Sequence, residues 1–150
     1  KKLGFLNFEE SEVDIQLEQV TNDTYLKSYK LKSPIIQDYD NLSSSIKIHA
    51  NKENLFLNLD FSVFEDLVKK DSDRFEYILP NYNLLKNFKP DDKLNGAFSF
   101  NSGGYIKNYD TNILEKVVIN DLYFNSNYKI TDAGLRNGYN LLIKPQEFKI

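Results

Sequence analysis

Asn54-Leu55-Phe56-Leu57-Asn58-Leu59-Asp60-Phe61-Ser62-Val63-Phe64 is the stretch whose reading decides the fold. Leu55, Leu57, Leu59, Phe61 and Val63 take every second position, and Asn58, Asp60 and Ser62 fill the gaps. That is the period of a strand with one apolar and one wet face; a helix would scatter the leucines around its circumference. About ten residues at roughly 3.3 Å each reach about 33 Å, and a tilt of about 45° brings that to roughly 23 Å, close to the roughly 25 Å apolar band of an outer-membrane barrel. The strand is therefore long enough to cross a membrane. Alternation leaves open whether lipid or protein covers the apolar side, so a long strand of a soluble sandwich or lipocalin-like barrel fits the same pattern.

The chain around this stretch repeats its logic. Upstream, Ile46, Ile48 and Ala50 alternate with Lys47 and His49, and Asn51-Lys52-Glu53 turns into the Leu55 strand as a tight hairpin. Earlier still, Val13, Ile15 and Leu17 alternate with Asp14, Gln16 and Glu18, after a short strand over Leu3 to Phe8 and a polar turn at Glu9-Glu10-Ser11. Thr21 to Asn41 gathers turn formers, Tyr25, Tyr29 and Pro34, and reads as a long loop.

Downstream, Glu65 to Asp73 reads as a loop, and Phe75, Tyr77 and Leu79 alternate with Glu76 and Ile78 as far as Pro80. Pro80 lacks an N–H and predicts a bulge or a weakly paired edge in a strand that ends near Asn87. After a turn at Lys89-Pro90-Asp91-Asp92, Leu94, Gly96, Phe98 and Phe100 alternate with Asn95, Ala97, Ser99 and Asn101. Ser102-Gly103-Gly104 suggests a kink, beyond which Tyr105 to Thr111 either continues the strand or opens a loop. Ile113 to Phe124 is β-rich with apolar and charged residues on both faces, so its outward side stays open. Asn125 to Gly134 reads as a turn, and Leu135, Tyr139, Leu141 and Ile143 close the chain with an eighth strand. The expectation is an all-β, antiparallel meander of about eight long strands, longer than the usual soluble strand of about five or six residues.

The chain has 150 residues, enough for one domain, with 14% aromatics, all Tyr or Phe. A net charge of −3 with dispersed lysines leaves no electrostatic footprint for nucleic acid. The lack of Cys excludes disulfides, Cys-ligated zinc and thiol catalysis. With no Met and an opening Lys1-Lys2-Leu3-Gly4, the sequence is expected to be a piece of a longer protein. No run of about eighteen apolar residues is present, which excludes a membrane-spanning helix and leaves a barrel open.

Catalytic signals are weak. His49 is the one histidine and sits among wet positions of a strand; Asp71 and Asp73 lack the glycine and closing glutamate of a calcium loop; Asp110, Glu115 and Asp121 have nothing in the sequence that brings two of them together. Ser102-Gly103-Gly104 has no phosphate-loop lysine, and Asn22-Asp23-Thr24 is a sequon of a length that arises by chance. No catalytic residue, metal or cofactor is expected, and the chain reads as a non-enzyme. Tyr25, Tyr29, Tyr39, Tyr105, Tyr109, Tyr123 and Tyr128 fall mostly near strand ends, as girdle tyrosines do at a membrane interface, although Tyr is common in β proteins generally.

Three segments together resemble the barrel domain of the LPS-assembly outer-membrane protein family (LptD, also called OstA): Val20-Thr21-Asn22-Asp23-Thr24-Tyr25 with Leu26 to Pro34, the hairpin from Leu42 to Leu67, and Asp73-Arg74-Phe75-Glu76-Tyr77-Ile78-Leu79-Pro80-Asn81-Tyr82. Asn108-Tyr109-Asp110-Thr111-Asn112 and Lys116-Val117-Val118-Ile119-Asn120-Asp121 add an Asn- and Lys-rich character similar to members from low-GC alphaproteobacteria. The resemblance spans about Glu12 to Ile150 and its motifs are loose. It implies that residues 1–150 are a curved section of a transmembrane barrel in the outer membrane. The function it implies is translocation and insertion of lipopolysaccharide, with a lipoprotein plug (LptE-like) and outer-membrane lipid as partners. No lateral-gate residue is carried over, and the family's disulfide has no counterpart here. On this reading Asn58, Asp60, Ser62, Asn95, Ser99 and Asn101 face the lumen, and Leu55, Leu57, Leu59, Phe61, Val63, Phe98 and Phe100 face lipid. The alternative is a soluble β-sandwich or lipocalin-like domain that binds a ligand or partner.

Overall fold

A computed structural model describes residues 8–29, 39–90, 93–109 and 112–144, and the backbone of 148–149. Its elements in chain order are β1 (Glu10–Gln16), a short helix α1 (Tyr25–Tyr29), β2 (Asn41–Lys52), β3 (Leu55–Asp66), a 3-10 turn (Asp71–Arg74), β4 (Phe75–Asn87), β5 (Gly96–Tyr109), β6 (Ile113–Ser126), β7 (Lys129–Ile130), β8 (Arg136–Asn137), β9 (Asn140–Ile143) and β10 (Phe148–Lys149). β1 to β6 form one antiparallel up-and-down sheet, and β9 and β10 both pair with β6, so together they make its seventh position. β7 and β8 form a separate small hairpin. The sheet is open among the described residues, with β1 at one edge and β9/β10 at the other.

The long hairpin expected around Leu55 is present in full register, from Asn41 opposite Asp66 to Lys52 opposite Leu55. Its turn is Glu53-Asn54, with Glu53 in the left-handed region (φ 46), while Asn51 and Lys52 stay paired. β3, β4, β5 and β6 run 12, 13, 14 and 14 residues, well above the usual soluble strand.

Pro80 breaks the ladder as expected: register shifts between Ile78 and Asn81 against β5, and between Asp60 and Ser62 against β3. The shift reverses the alternation of β4. Phe75 and Tyr77 share a face with Tyr82 and Leu84, not with Asn81 and Asn83. Ser102-Gly103-Gly104 is not a kink, because β5 pairs with β6 through it without a register shift and runs on to Tyr109. The β5–β6 register also decides the outward side of Ile113 to Phe124. Leu114, Val118, Leu122 and Phe124 lie opposite Asn108, Gly104, Phe100 and Phe98, on the apolar face.

The remaining corrections concern ends and loops. Glu10 and Ser11 are strand residues, Leu17 lies beyond β1, and the Thr21–Asn41 loop contains α1. The helix starts there because the Asn22 side chain accepts the Thr24 N–H at 3.0 Å and its carbonyl accepts the Tyr25 N–H at 2.9 Å, leaving Leu26 to pack with Leu42 and Leu67. β6 continues to Ser126, into the expected turn, which also holds β7, while the expected eighth strand from Leu135 to Ile143 is broken: Arg136–Asn137 pairs with β7 as β8, only Asn140–Ile143 pairs with β6, and Leu135 and Tyr139 lie outside any strand. The calls on Leu3 to Asn7, Pro34, Asp91-Asp92 and Asp110-Thr111 lie outside the described residues.

Among the described residues no second layer covers the sheet. Apart from neighbouring strands and the 3-10 turn against β3, no two described elements pack substantially. Only Leu26, Leu42, Ala50, Leu67 and Phe124 are buried hydrophobics among the described residues. The accessible surface is 11436 Å², whereas a globular monomer of 17.5 kDa exposes roughly 7,900 Å².

Gly104 is where the sheet is least tolerant. A Cβ there would sit 2.3 Å from the Val117 carbonyl oxygen, a backbone atom, whereas one at Gly103 meets nothing closer than 3.5 Å. Gly104→Ala is expected to cost about 1–3 kcal/mol by forcing β5 from β6, and Gly103→Ala to be nearly neutral. Denaturant titrations of the detergent-solubilised protein followed by circular dichroism check this; equal midpoints for the two variants would contradict it.

Candidate functional site

The register divides the sheet into two chemically distinct faces. Leu55, Leu57, Leu59, Phe61 and Val63 share a face with Ile46, Ile48 and Ala50 of β2, and through β4 with Phe98 and Phe100 of β5. Val13 and Ile15 of β1 extend it to the edge. This apolar face is continuous from β1 to β4. On β5 and β6 it is broken by Ser102 opposite Asn120, and by Lys116 opposite Ile106.

The opposite face collects amides, hydroxyls and charges in transverse rows. One row runs Glu12, His49, Asn58, Asn83, Gly103; the next runs Asp14, Lys47, Asp60, Asn81, Tyr105. Pairing stacks like positions of antiparallel neighbours on one side, which brings polar side chains from distant parts of the chain within reach of each other. His49 Nδ1 is hydrogen-bonded to Asn58 Oδ1 at 2.8 Å, the Ser62 hydroxyl donates to Asp60 at 2.5 Å, and Asn83 Nδ2 donates to Asn101 Oδ1 at 3.4 Å. Two shallow troughs lie along these rows, one lined by Glu10, Glu12, His49, Asn51, Phe56 and Asn58, the other by Lys47, Asn58, Asp60, Asn81 and Asn83.

Of the residues expected to share the wet face, Asn58, Asp60, Ser62, Ser99 and Asn101 do so. Ser62 is the exception in exposure, buried at 6% beneath its neighbours. Asn95 is corrected: it precedes β5 in a left-handed turn (φ 48), where its carbonyl accepts the Asn127 N–H at 2.7 Å. Asn81 and Asn83 were missed, and the signal for them was Pro80, since a bulge there swaps the two faces of everything after it.

Three of the tyrosines singled out lie within β5 and β6. Tyr105, Tyr109 and Tyr123 stand on the polar face: Tyr105 and Tyr109 donate to Glu115 at 2.8 and 3.3 Å, and Tyr123 donates to Asp121 at 3.2 Å. Glu115 and Asp121 share this face but are engaged by different tyrosines, so they do not make a carboxylate pair. No group of three or more His, Cys, Asp or Glu side chains among the described residues is arranged to hold a metal ion.

At the end of β2 and β3, residues 18–29 are held down by charge as well as by Leu26. Glu18 accepts the Ser43 N–H at 2.7 Å, Lys27 pairs with Asp40, and Arg74 bridges Asp23 at 2.6 Å and Glu65 at 2.6 Å. The Arg74 hydrogen bonds hold the Asp23 carboxyl below its ordinary range, and Arg74 itself is pushed further toward its charged form. This is scaffolding rather than chemistry.

No protein-family model, no curated protein and no solved structure matches this chain.

Proposed function

We propose that this chain is a section of the wall of an outer-membrane β-barrel that passes lipopolysaccharide to the outer leaflet, working with a plug lipoprotein inside the barrel. The observation that carries the reading is the single-layer sheet. Strands of 12 to 14 residues present one apolar face and one polar face, and nothing in the described residues covers either. A soluble sandwich of this size would need a second sheet over Leu55, Leu57 and Leu59, and water is a poor substitute for it. Lipid on one side and an aqueous lumen on the other satisfy both faces at once. The lipopolysaccharide cargo and the plug rest on the family resemblance of the sequence.

In this reading Asn58, Asn83, Ser99 and Asn101 line the passage. Neutral amides and hydroxyls exchange hydrogen bonds with sugar without holding it tightly, which suits a conduit. Photo-crosslinkers placed at Asn58 and Ser99 of the full-length protein are expected to capture lipopolysaccharide or the plug, and those at Leu57 and Phe98 to capture neither. Capture from Leu57 and Phe98 alone would mean that the sheet faces the other way.

A further inference from the structure

We propose that α1 is a membrane-interface anchor, which seats the Tyr25 and Tyr29 rings in the lipid headgroup layer at the level where the apolar face of the sheet stops. The helix sits at the end of that face and on its side of the sheet. Leu42, which packs with Leu26, follows the alternation of Ile46 and Ile48, and Glu65 opposite it follows that of Phe61 and Val63. Arg74 ties Glu65 to Asp23, in the turn that leads into α1. At its other end the same face carries Lys52 and Lys86 on either side of Leu55. Between the Leu55 row and the Glu65 row, β3 rises about 33 Å at roughly 3.3 Å per residue, or about 23 Å when tilted by about 45°. That spacing matches the roughly 25 Å apolar band of a transmembrane barrel, with a charged row at each boundary. A helix packed at the Glu65 row then stands among headgroups, outside the hydrocarbon.

The side chains of α1 suit that layer. Leu26 turns inward, and Tyr25 and Tyr29, one helical turn apart, remain 39% and 66% exposed with their ring centroids 4.7 Å from each other. A tyrosine carries an apolar ring and a polar hydroxyl, so it gains most where hydrocarbon gives way to water. The aromatic row continues onto β4, where Phe75 and Tyr77 lie opposite Glu65 and Val63 on the apolar face and stack at 6.1 Å. A helix of 5 residues does not hold its own shape in water or at a membrane surface. Leu26, the Arg74–Asp23 bridge and the Lys27–Asp40 pair hold it in place instead.

The inference rests on the apolar face meeting lipid, and it adds where along that face the hydrocarbon ends and what marks the boundary. The experiment places a genetically encoded fluorescent amino acid at position 29, or separately at position 57, of the full-length protein in phosphatidylcholine vesicles that carry a nitroxide either on the headgroup or in the middle of the acyl chain. Fluorescence at position 29 is expected to be quenched at least threefold more strongly by the headgroup nitroxide than by the acyl-chain one, and position 57 to show the reverse order. Leu26→Asp is expected to release α1 and at least halve the headgroup quenching at position 29, with position 57 unchanged. If Leu26→Asp does not fold, Asp23→Ala, which opens the bridge to Arg74 at its exposed end, carries the test with a smaller loss in the same direction. Deep quenching at position 57 with no quenching at position 29, or with position 29 quenched mainly from the acyl chain, overturns this inference and leaves the barrel reading standing. Headgroup quenching at position 29 that survives unchanged in the folded variants overturns the role given to α1. Absence of quenching at position 57 by either nitroxide sinks the barrel reading, and this inference with it.

Discussion

Leu57→Arg and Leu59→Arg are each expected to destabilise the full-length protein in a bilayer by about 2–4 kcal/mol, because both residues sit mid-strand on the apolar face, which in the barrel reading lies where a guanidinium finds neither water nor headgroups. Leu57 is flanked by Ala50 and Leu84, and Leu59 by Ile48 and Tyr82, so no neighbouring carboxylate is placed to receive the charge. Asn58→Arg, one residue away, points between His49 and Asn83 on the polar face and is expected to cost under about 1 kcal/mol. Ser62→Arg is a poor second control, since Ser62 is buried and bonded to Asp60. The measurement is denaturant unfolding from lipid vesicles. Equal costs at Leu57 and Asn58 would show that both faces are covered by protein, as in a double-layered soluble domain.

The second large effect is self-association of the 150-residue chain in water. Its surface exceeds that of a globular monomer of its mass by roughly 3,500 Å², and Ile15 (63% exposed), Ile46 (40%) and Val118 (39%) lie on the uncovered face or its edge. β1 adds an open row of backbone donors and acceptors at one edge. Without detergent the chain is expected to sediment as concentration-dependent oligomers, and detergent is expected to return it to smaller particles by coating the apolar face. A monomer with a sharp thermal transition, independent of concentration and detergent, would favour the soluble alternative instead.

The two experiments probe different links of the same argument. Arginine substitution reads the environment of one face inside the complete protein, while sedimentation reads whether the sheet is self-sufficient. A monomer in water combined with a large Leu57→Arg penalty would point to a soluble domain whose apolar face is covered by residues outside the described ones. Association in water combined with a small penalty would mean that edges, not faces, drive it.

What the sequence determined by itself was local: strand identity, length and period. The alternation from Leu55 to Val63 admits one backbone conformation, and the Ile46–Ala50 repeat a few residues upstream makes the hairpin the natural partner, so β2 and β3 were legible without coordinates. What only the tertiary structure decided was which strands' faces coincide. The faces of β6 are chemically mixed, and only its pairing with β5 puts Leu122 and Phe124 on the side of Phe100 and Phe98. Pro80 announced a bulge, but the reversal it imposes, which moves Asn81 and Asn83 onto the polar face, depends on how many residues the bulge absorbs against β3 and β5. The tyrosine–carboxylate contacts on β5 and β6 were hidden for the same reason. A strand's period is written in its own residues, whereas its register is fixed by hydrogen bonds to residues tens of positions away, and a one-residue slip sends every side chain to the other face.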